Sequence, residues 1–154
     1  MTAPLIGFAG LGVMGEPICR NMLQKSGAEV HVFDLSAAPV DRLAALGAKK
    51  AESVAALAAE VDILFLSLPG GPQVESVILG KDGVLESGRK GLTVVDMSTA
   101  PVSLTRTIDS KLSERGIDFA DAPVARTRQA AEDGTLSIMV GGSDAVFDRI
   151  RPLL

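Results

Sequence analysis

The chain has 154 residues, of which 47% are hydrophobic and 22% are charged, and its formal net charge at pH 7 is −4. This length suits one domain, and the composition is typical of a globular protein with an apolar core. The negative charge disfavours binding to nucleic acid or to an anionic membrane, and no apolar run has the length of a membrane span. One cysteine and one histidine exclude an internal disulfide framework and a cysteine- or histidine-rich metal site.

The N-terminal stretch MTAPLIGFAG lacks the basic start and the cleavage site of a signal peptide. Together with the lone cysteine, it indicates a reducing, cytoplasmic setting. The acidic residues Asp118, Asp121 and Glu132-Asp133 lie on different predicted elements and fit no calcium loop, so no metal site is expected.

Short apolar runs alternate along the chain with longer amphipathic segments. Strands are predicted at 5–10, 29–34, 61–69, 92–98, 117–124 and 136–142. Helices are predicted at 16–27, 36–46, 52–61, 71–79, 101–115 and from Ser143 to the end of the chain, with a loop or short helix at 127–134. This alternation predicts an α/β fold of the Rossmann type, a doubly wound, mostly parallel sheet with helices on both faces. Ligands of such sheets bind at the carboxyl ends of the strands.

The first predicted strand leads into a glycine-rich loop within LIGFAGLGVMG, residues 5–15. Gly10, Gly12 and Gly15 have the GxGxxG spacing of a dinucleotide-binding turn. In that motif the first glycine permits the tight turn, the second lets the backbone approach a pyrophosphate, and the third allows close helix–strand packing. A glycine-rich turn that binds nothing is the alternative, but the position between a strand and a helix favours a dinucleotide.

The second predicted strand ends in Asp34. A carboxylate at this position accepts hydrogen bonds from the ribose hydroxyls of NAD and repels the 2′-phosphate of NADP. The next residues are Leu35 and Ser36, not the arginine that a phosphate-bearing ribose favours. The predicted cofactor is therefore NAD rather than NADP; the alternative is that Asp34 is a solvated carboxylate at a strand end.

Four segments resemble the β-hydroxyacid dehydrogenases, the family of 3-hydroxyisobutyrate dehydrogenase, tartronate semialdehyde reductase and 6-phosphogluconate dehydrogenase. They are GFAGLGVMGEPICRNML, SLPGGPQVESVILGKDGV, VVDMSTAPV and DAPVARTRQAAEDGTLSIMVGG. The first is shared with many dehydrogenases, whereas the other three in this order are more specific. The resemblance runs from about residue 5 to 154, and it implies that residues 1–154 form a dinucleotide-binding domain.

The resemblance also implies which residues bind the cofactor. The glycine loop would line the pyrophosphate and the nicotinamide side, the exit of the strand at 61–69 would border the adenosine half, and Thr99 would approach the nicotinamide ribose or ring. The implied cofactor-binding residues are Gly10, Leu11, Gly12, Val13, Met14, Gly15, Asp34, Leu68, Pro69, Val74 and Thr99. Alternatively, Pro69 only ends a strand, Ser98 or Thr99 only caps the next helix, and Asp96 is a buried carboxylate that stabilises a turn.

The implied substrate-binding segment is Val124, Ala125, Arg126 and Thr127. The family commonly has Ser-Gly-Gly after this valine, and those residues meet the substrate carboxylate through hydroxyl and backbone donors. Here the serine hydroxyl is missing and a guanidinium is present, although Thr127 restores a hydroxyl. Arg126 either forms a forked pair with a carboxylate or sulfonate, or points to solvent. The similar Gly-Arg-Thr variant of the sulfolactaldehyde reductases makes an unusual acidic aldehyde or alcohol a further candidate substrate.

By resemblance, the chain is the cofactor-binding half of an enzyme that transfers hydride between NAD and a small β-hydroxyacid or its semialdehyde. The family moves the hydroxyl proton with a lysine on a long helix after the sheet domain. This sequence ends at Leu154, before that helix, so no catalytic residue is assigned and the chain alone is expected to be inactive. A helical C-terminal domain and a homo-oligomer are expected of the full-length enzyme. A non-catalytic NAD-sensing module and an imine reductase with the same cofactor half are the alternatives.

Overall fold

The computed structural model describes residues 3–154, so residues 1 and 2 of the expected domain at 1–154 lie outside the described part. Strands alternate with helices along most of the chain. The strands are β1 Ile6–Ala9, β2 Val30–Phe33, β3 Lys49–Lys50, β4 Ile63–Leu66, β5 Thr93–Asp96, β6 Asp118–Asp121, β7 Val124–Ala125 and β8 Ser137–Ile138. The helices are α1 Gly15–Lys25, α2 Ala37–Ala45, α3 Val54–Glu60, α4 Gly71–Leu79, α5 Val84–Ser87, α6 Val102–Glu114, α7 Arg128–Asp133 and α8 Asp144–Ile150, followed by a 3₁₀ turn at Arg151–Leu153.

The main sheet has six strands in the order β3-β2-β1-β4-β5-β6, and all of its neighbouring strands run parallel. This arrangement confirms the predicted doubly wound α/β fold. From β1 the chain winds outward to β2 and β3, and then returns to place β4 on the other side of β1. The order therefore reverses between β1 and β4, and the crevice at the carboxyl ends of these two strands is where such sheets bind ligands.

Both faces of the sheet are covered, which explains why the central strands are continuous apolar runs. Along β4, Ile63 and Phe65 face the core cluster that contains α1 and α2. The alternate residues Leu64 and Leu66 face a second cluster, formed with α3, α4 and α6. This alternation follows from the two-residue period of a strand and secures the sheet between two helical layers.

The end of the chain departs from the prediction. The strand predicted at 117–124 divides into β6 and β7, and β7 leaves the main sheet to pair antiparallel with β8. The strand predicted at 136–142 is reduced to β8 and a single bridge between Gly141 and Asp121. Pro123 stands at the division and cannot donate a hydrogen bond to a sheet, which accounts for the break.

Several short elements were not predicted: β3, α5 and the final 3₁₀ turn. The segment 127–134 contains the helix α7, whose N-cap Thr127 accepts a 3.3 Å hydrogen bond from the amide of Ala130. Ser36 is the N-cap of α2, as expected, although its side chain accepts no capping bond from the described residues. Among residues 3–154, no helix is long and apolar enough to cross a membrane.

Candidate functional site

The turn from β1 into α1 depends on two glycines that the protein's own packing requires. Gly10 has a φ of +91°, and a Cβ there would lie 2.1 Å from the carbonyl oxygen of Ser67. A Cβ on Gly15 would lie 2.0 Å from the carbonyl oxygen of Gly10. Both distances are far below contact, so only glycine lets α1 begin this close to the exits of β1 and β4.

Gly12, the middle glycine, differs from its neighbours. A Cβ on this residue would meet no heavy atom of residues 3–154 within 4 Å. Packing therefore gives no reason for glycine at this position, and the space beside the backbone is open. Open space beside a glycine in the loop that leads into α1 fits the close approach of a pyrophosphate.

The Asp34 carboxylate is held against the glycine loop by two backbone amides. Leu11 donates a 2.7 Å hydrogen bond to Oδ2, and Ser36 donates a 2.7 Å bond to Oδ1. The amide of Gly10 also bonds to the carbonyl of Phe33, at 3.1 Å, so the loop and the end of β2 are tied together. Each carboxylate oxygen keeps a further lone pair, and the fixed group can accept hydrogen bonds from vicinal hydroxyls.

A groove of about 530 Å³ lies over the carboxyl ends of β1, β2 and β4, and we refer to it as the β1–β4 groove. It brings together eight of the predicted cofactor-binding residues: Gly10, Gly12, Val13, Met14, Gly15, Asp34, Leu68 and Pro69. Its lining is mainly apolar, with the Asp34 carboxylate near one end. This combination suits a ligand with flat apolar rings joined by polar groups.

Three predicted residues lie outside the lining of this groove. Leu11 has a buried side chain and contributes its amide to Asp34. Val74 lies on α4 with its side chain fully buried in the core, whereas Thr99 is exposed beyond the end of β5. Their assignment to cofactor binding stays a prediction.

The sequence prediction did not include seven residues that line the groove: Ala9, Phe33, Leu35, Val54, Ser67, Gln73 and Val77. Gln73 and Val77 lie one turn apart on α4, so the helical period of the sequence predicts that they share one face of the helix. Leu35 is 98% exposed directly after the Asp34 carboxylate. An apolar residue directly after the acid that follows β2 was the signal that the sequence offered.

Ser98 lies just after β5 and does not cap the next helix, so that alternative was wrong. Helix α6 begins at Val102, with Pro101 at its N-cap. The Ser98 hydroxyl instead accepts a 2.8 Å hydrogen bond from the amide of Leu68, and this bond ties the end of β5 to the exit of β4. Ser98 therefore positions one wall of the β1–β4 groove.

Asp96, at the end of β5, is the buried turn-stabilising carboxylate that the sequence allowed. It is 1% exposed and accepts a 2.9 Å hydrogen bond from the amide of Ser98 at Oδ1. Its Oδ2 has no hydrogen-bond partner among the described residues. Burial raises the pKa of Asp96. Burial, and then the charge of Asp96, raise the pKa of Asp121, which stands opposite it on β6.

The predicted substrate-binding segment lies on the β7–β8 hairpin and at the start of α7. Arg126 has a φ of +94°, in the left-handed region, at a position where the related family commonly has glycine. Its Nε donates a 3.1 Å hydrogen bond to the Ser137 hydroxyl on β8. An arginine held in a strained conformation, with its other guanidinium donors exposed, is typical of a functional position.

Asn21 on α1 was not singled out in the sequence, yet it connects the glycine-loop helix to the predicted substrate segment. Its Nδ2 donates to the carbonyls of Ala131 and Glu132 at the end of α7, at 2.9 and 3.1 Å. The same nitrogen is 3.1 Å from the carbonyl of Pro17 in its own helix. Asn21 therefore fixes α7 relative to the start of α1.

The lone cysteine and histidine have structural surroundings. Cys19 is fully buried on α1, and burial raises the pKa of its thiol to about 12. A thiol in this state is a poor nucleophile. His31 on β2 lies 2.8 Å from the Glu29 carboxylate. The described residues include no group of three or more His, Cys, Asp or Glu side chains that could hold a metal ion.

Comparison with known proteins places this chain in a family. Residues 5–154 match the family described as the NAD binding domain of 6-phosphogluconate dehydrogenase. The 2-(hydroxymethyl)glutarate dehydrogenase of Eubacterium barkeri is 46% identical over 149 residues, which are 97% of this chain and 49% of that protein. The 2-hydroxy-3-oxopropionate reductase of Escherichia coli K12 is 42% identical over 149 residues, which are 96% of this chain and 50% of that protein.

A solved structure of Mycobacterium tuberculosis 3-hydroxyisobutyrate dehydrogenase with L-serine is similar in fold. Its TM-score is 0.90 at 31% identity, over 99% of this chain and 51% of that one. This chain therefore belongs to the family of NAD-binding domains of 6-phosphogluconate dehydrogenase, and the resemblance to β-hydroxyacid dehydrogenases is confirmed. The chain spans about half the length of the relatives it matches.

The three glycines should separate stability from ligand binding. We expect Gly12→Ala to change the free energy of unfolding by less than about 0.5 kcal/mol, because its Cβ enters open space. The same change should weaken NADH binding about tenfold or more, because a methyl group would keep the pyrophosphate from the backbone.

Gly15→Ala should lower the free energy of unfolding by about 1–3 kcal/mol through its clash with Gly10. Urea unfolding and isothermal titration measure the two effects, and equal NADH affinity in Gly12→Ala and wild type would contradict this expectation.

The raised pKa of Asp96 makes stability depend on pH with a definite sign. The unfolded chain releases this proton near pH 3.8, whereas the folded chain keeps it to a higher pH. The free energy of unfolding should therefore fall as pH rises from 3.8 to the raised pKa, by about 1.4 kcal/mol per pH unit for this group.

Asp96→Asn keeps an oxygen for the Ser98 amide and removes the titration. The difference in stability between Asp96→Asn and wild type should therefore grow across this pH range. Urea unfolding at several pH values measures it, with the exposed Asp109→Asn on α6 as the matched control. A constant difference between Asp96→Asn and wild type would show that Asp96 does not titrate in this way.

Proposed function

We propose that this chain is the cofactor-binding half of an NAD-dependent β-hydroxyacid dehydrogenase or reductase. The full enzyme would transfer hydride between NAD and a small β-hydroxyacid or its semialdehyde, as in 3-hydroxyisobutyrate dehydrogenase. The observation that carries this proposal is the Asp34 carboxylate, held by two backbone amides beside an open glycine loop. Three relatives that match nearly the whole chain are named dehydrogenases or reductases of small hydroxy compounds, which supports the same class.

The site favours NAD over NADP. Both Asp34 oxygens already accept backbone hydrogen bonds, so the carboxylate cannot turn away from a ribose that enters the groove. A fixed negative charge accepts the ribose hydroxyls and repels a 2′-phosphate. The adenine ring would lie against the apolar residues near Asp34, namely Leu35, Val54, Leu68 and Val77.

The nicotinamide, when bound, supplies the hydride chemistry, and this chain supplies binding and orientation. The start of α1 and Gly12 would receive the pyrophosphate, and Thr99 would lie towards the nicotinamide. Among Val124, Ala125, Arg126 and Thr127, the guanidinium of Arg126 would bind the substrate anion. The Thr127 hydroxyl accepts a capping bond from the amide of Ala130, and its proton would remain available to a substrate oxygen.

The remaining parts of the enzyme would be supplied outside these residues. We propose that a lysine on a helix after Leu154 moves the hydroxyl proton, in a helical domain that closes the groove and builds a homo-oligomer. This chain alone would then bind NAD without turnover. The relatives of 42% and 46% identity favour a hydroxyacid enzyme over an imine reductase or an NAD-sensing module, because both are named for redox reactions of oxygen compounds.

Cofactor preference tests the proposal directly. Isothermal titration should show that NADH binds this chain more tightly than NADPH. Asp34→Ala should reduce the NADH-over-NADPH affinity ratio about tenfold or more, because it removes both the ribose acceptor and the repelling charge. Asp41→Asn, a change to an exposed carboxylate on α2, is the control and should leave the ratio unchanged. An unchanged ratio in Asp34→Ala would count against the assignment.

The role of Arg126 can be measured in a chimera in which this chain replaces the matching half of the Escherichia coli 2-hydroxy-3-oxopropionate reductase. Arg126→Gly should raise the KM for an acidic substrate about tenfold or more, because the paired hydrogen bonds from the guanidinium to the substrate anion are lost. The same change should not lower stability, since glycine adopts a positive φ without strain. Arg128→Ala, which removes a guanidinium paired with Glu132, is the control. An unaltered KM in Arg126→Gly would show that Arg126 faces solvent.

A further inference from the structure

A second cleft, of about 680 Å³, lies on the other side of the glycine loop, between α1 and α2. We refer to it as the α1–α2 cleft. Asp34 and Gly12 line both this cleft and the β1–β4 groove. A ribose held by Asp34 would therefore stand at the boundary between the two, with one of its hydroxyls able to face the α1–α2 cleft.

The α1–α2 cleft contains three arginines, Arg20, Arg42 and Arg128, which is unexpected beside a site that disfavours a phosphate. Two of them are paired with glutamates in the same cleft. Arg128 lies 3.0 Å from Glu132. Arg42 is held more firmly, because its Nε and Nη2 donate to the two oxygens of Glu16 at 2.6 and 2.8 Å.

The forked pair joins the two helices that flank Asp34. Glu16 is in the first turn of α1, directly after the glycine loop, and Arg42 is on α2, which starts just after Asp34. The Glu16 side chain is 19% exposed, whereas that of Arg42 is 59% exposed. The less exposed carboxylate therefore anchors the more exposed guanidinium and occupies two of its donors. Arg42 also lowers the pKa of Glu16, so this carboxylate stays charged at neutral pH.

A 2′-phosphate on the ribose would need a cation within reach to offset the charge of Asp34. Arg42 is the guanidinium of the α1–α2 cleft that is carried by the helix following Asp34. We propose that Glu16 is a specificity-determining residue, which disfavours NADP by holding the Arg42 guanidinium in a forked pair and away from the ribose 2′-position. This inference rests on the proposed NAD-binding function and adds a second determinant to Asp34.

The two determinants act on the same phosphate in different ways, so their effects should be coupled. Removing Asp34 relieves a repulsion but leaves Arg42 paired with Glu16. Removing the charge of Glu16 releases Arg42 but leaves Asp34 in place. Substitutions of residues that act on one ligand group usually have non-additive effects on the binding free energy. The double variant should therefore favour NADPH by more than the sum of the effects of the two single variants.

The experiment is a titration of this chain with NADPH and NADH, using wild type, Glu16→Gln, Asp34→Ser and the double variant. The affinity ratio of NADPH to NADH is the quantity compared, since neutralising Glu16 near the pyrophosphate would strengthen the binding of both. We expect the double variant to raise this ratio about tenfold above Asp34→Ser alone. Adding Arg42→Met to the double variant should remove that gain. The gain should also shrink as salt is raised, because it arises from an exposed charge.

Glu29→Gln in the Asp34→Ser background is the matched control. Glu29 also pairs with a cation, Lys49 at 2.8 Å, but it lies at the opposite end of β2. This variant should leave the ratio at the Asp34→Ser value. Circular dichroism verifies that each variant is folded, and Glu16→Ala replaces Glu16→Gln if the amide still holds Arg42.

Two results would overturn the inference. One is an equal ratio in Asp34→Ser and in the double variant with either Glu16 substitution. The other is a gain that persists after Arg42→Met. If the wild-type chain binds neither NADH nor NADPH, the proposed function is wrong and the inference fails with it. If the chain binds NADH but the Glu16 substitutions leave the NADPH-to-NADH affinity ratio unchanged, only the role of Glu16 is refuted.

Discussion

The close approach of the glycine loop to the ends of β1, β2 and β4 is the constraint on which the rest of the site depends. Gly10 and Gly15 leave no room for a Cβ, so the backbone of the loop packs directly against the exit of β4. Asp34 then fastens the loop to the end of β2 through the amide of Leu11. These contacts hold a carboxylate and an open stretch of backbone in fixed relation, which is the preorganisation that a dinucleotide needs.

The same packing connects cofactor specificity to the stability of the fold. In the proposed function Asp34 serves both, because its oxygens accept bonds from two backbone amides and would also accept the ribose hydroxyls. Its hydrogen bonds to the two amides hold it in place without a ligand. In the inference drawn above, Glu16 and Arg42 extend this arrangement to the neighbouring helices, where an ion pair that contributes little to stability would still decide whether a 2′-phosphate is accepted.

The fold and the centre of the site were largely predictable, because they depend on local patterns. Short apolar runs alternating with amphipathic helices define the doubly wound sheet, and the GxGxxG spacing followed by Asp34 defines one end of the groove. The predictions failed where a few residues respond to distant neighbours. Ser98 was a candidate cap for the helix predicted at 101–115, but its hydroxyl accepts a bond from the amide of Leu68, 30 positions earlier in the chain, and Pro101 is the N-cap of α6.

The sequence by itself determined the class of fold, the position of the glycine turn and the acid that follows β2. These depend on side-chain periodicity and on the conformational freedom of glycine, both of which act over a few residues. Only the tertiary structure decided that Asn21 meets the end of α7, that Arg42 is held by Glu16 and that Arg126 adopts a positive φ. The physical reason is that these features depend on how separate elements meet, so they exist only after the sheet and helices have packed.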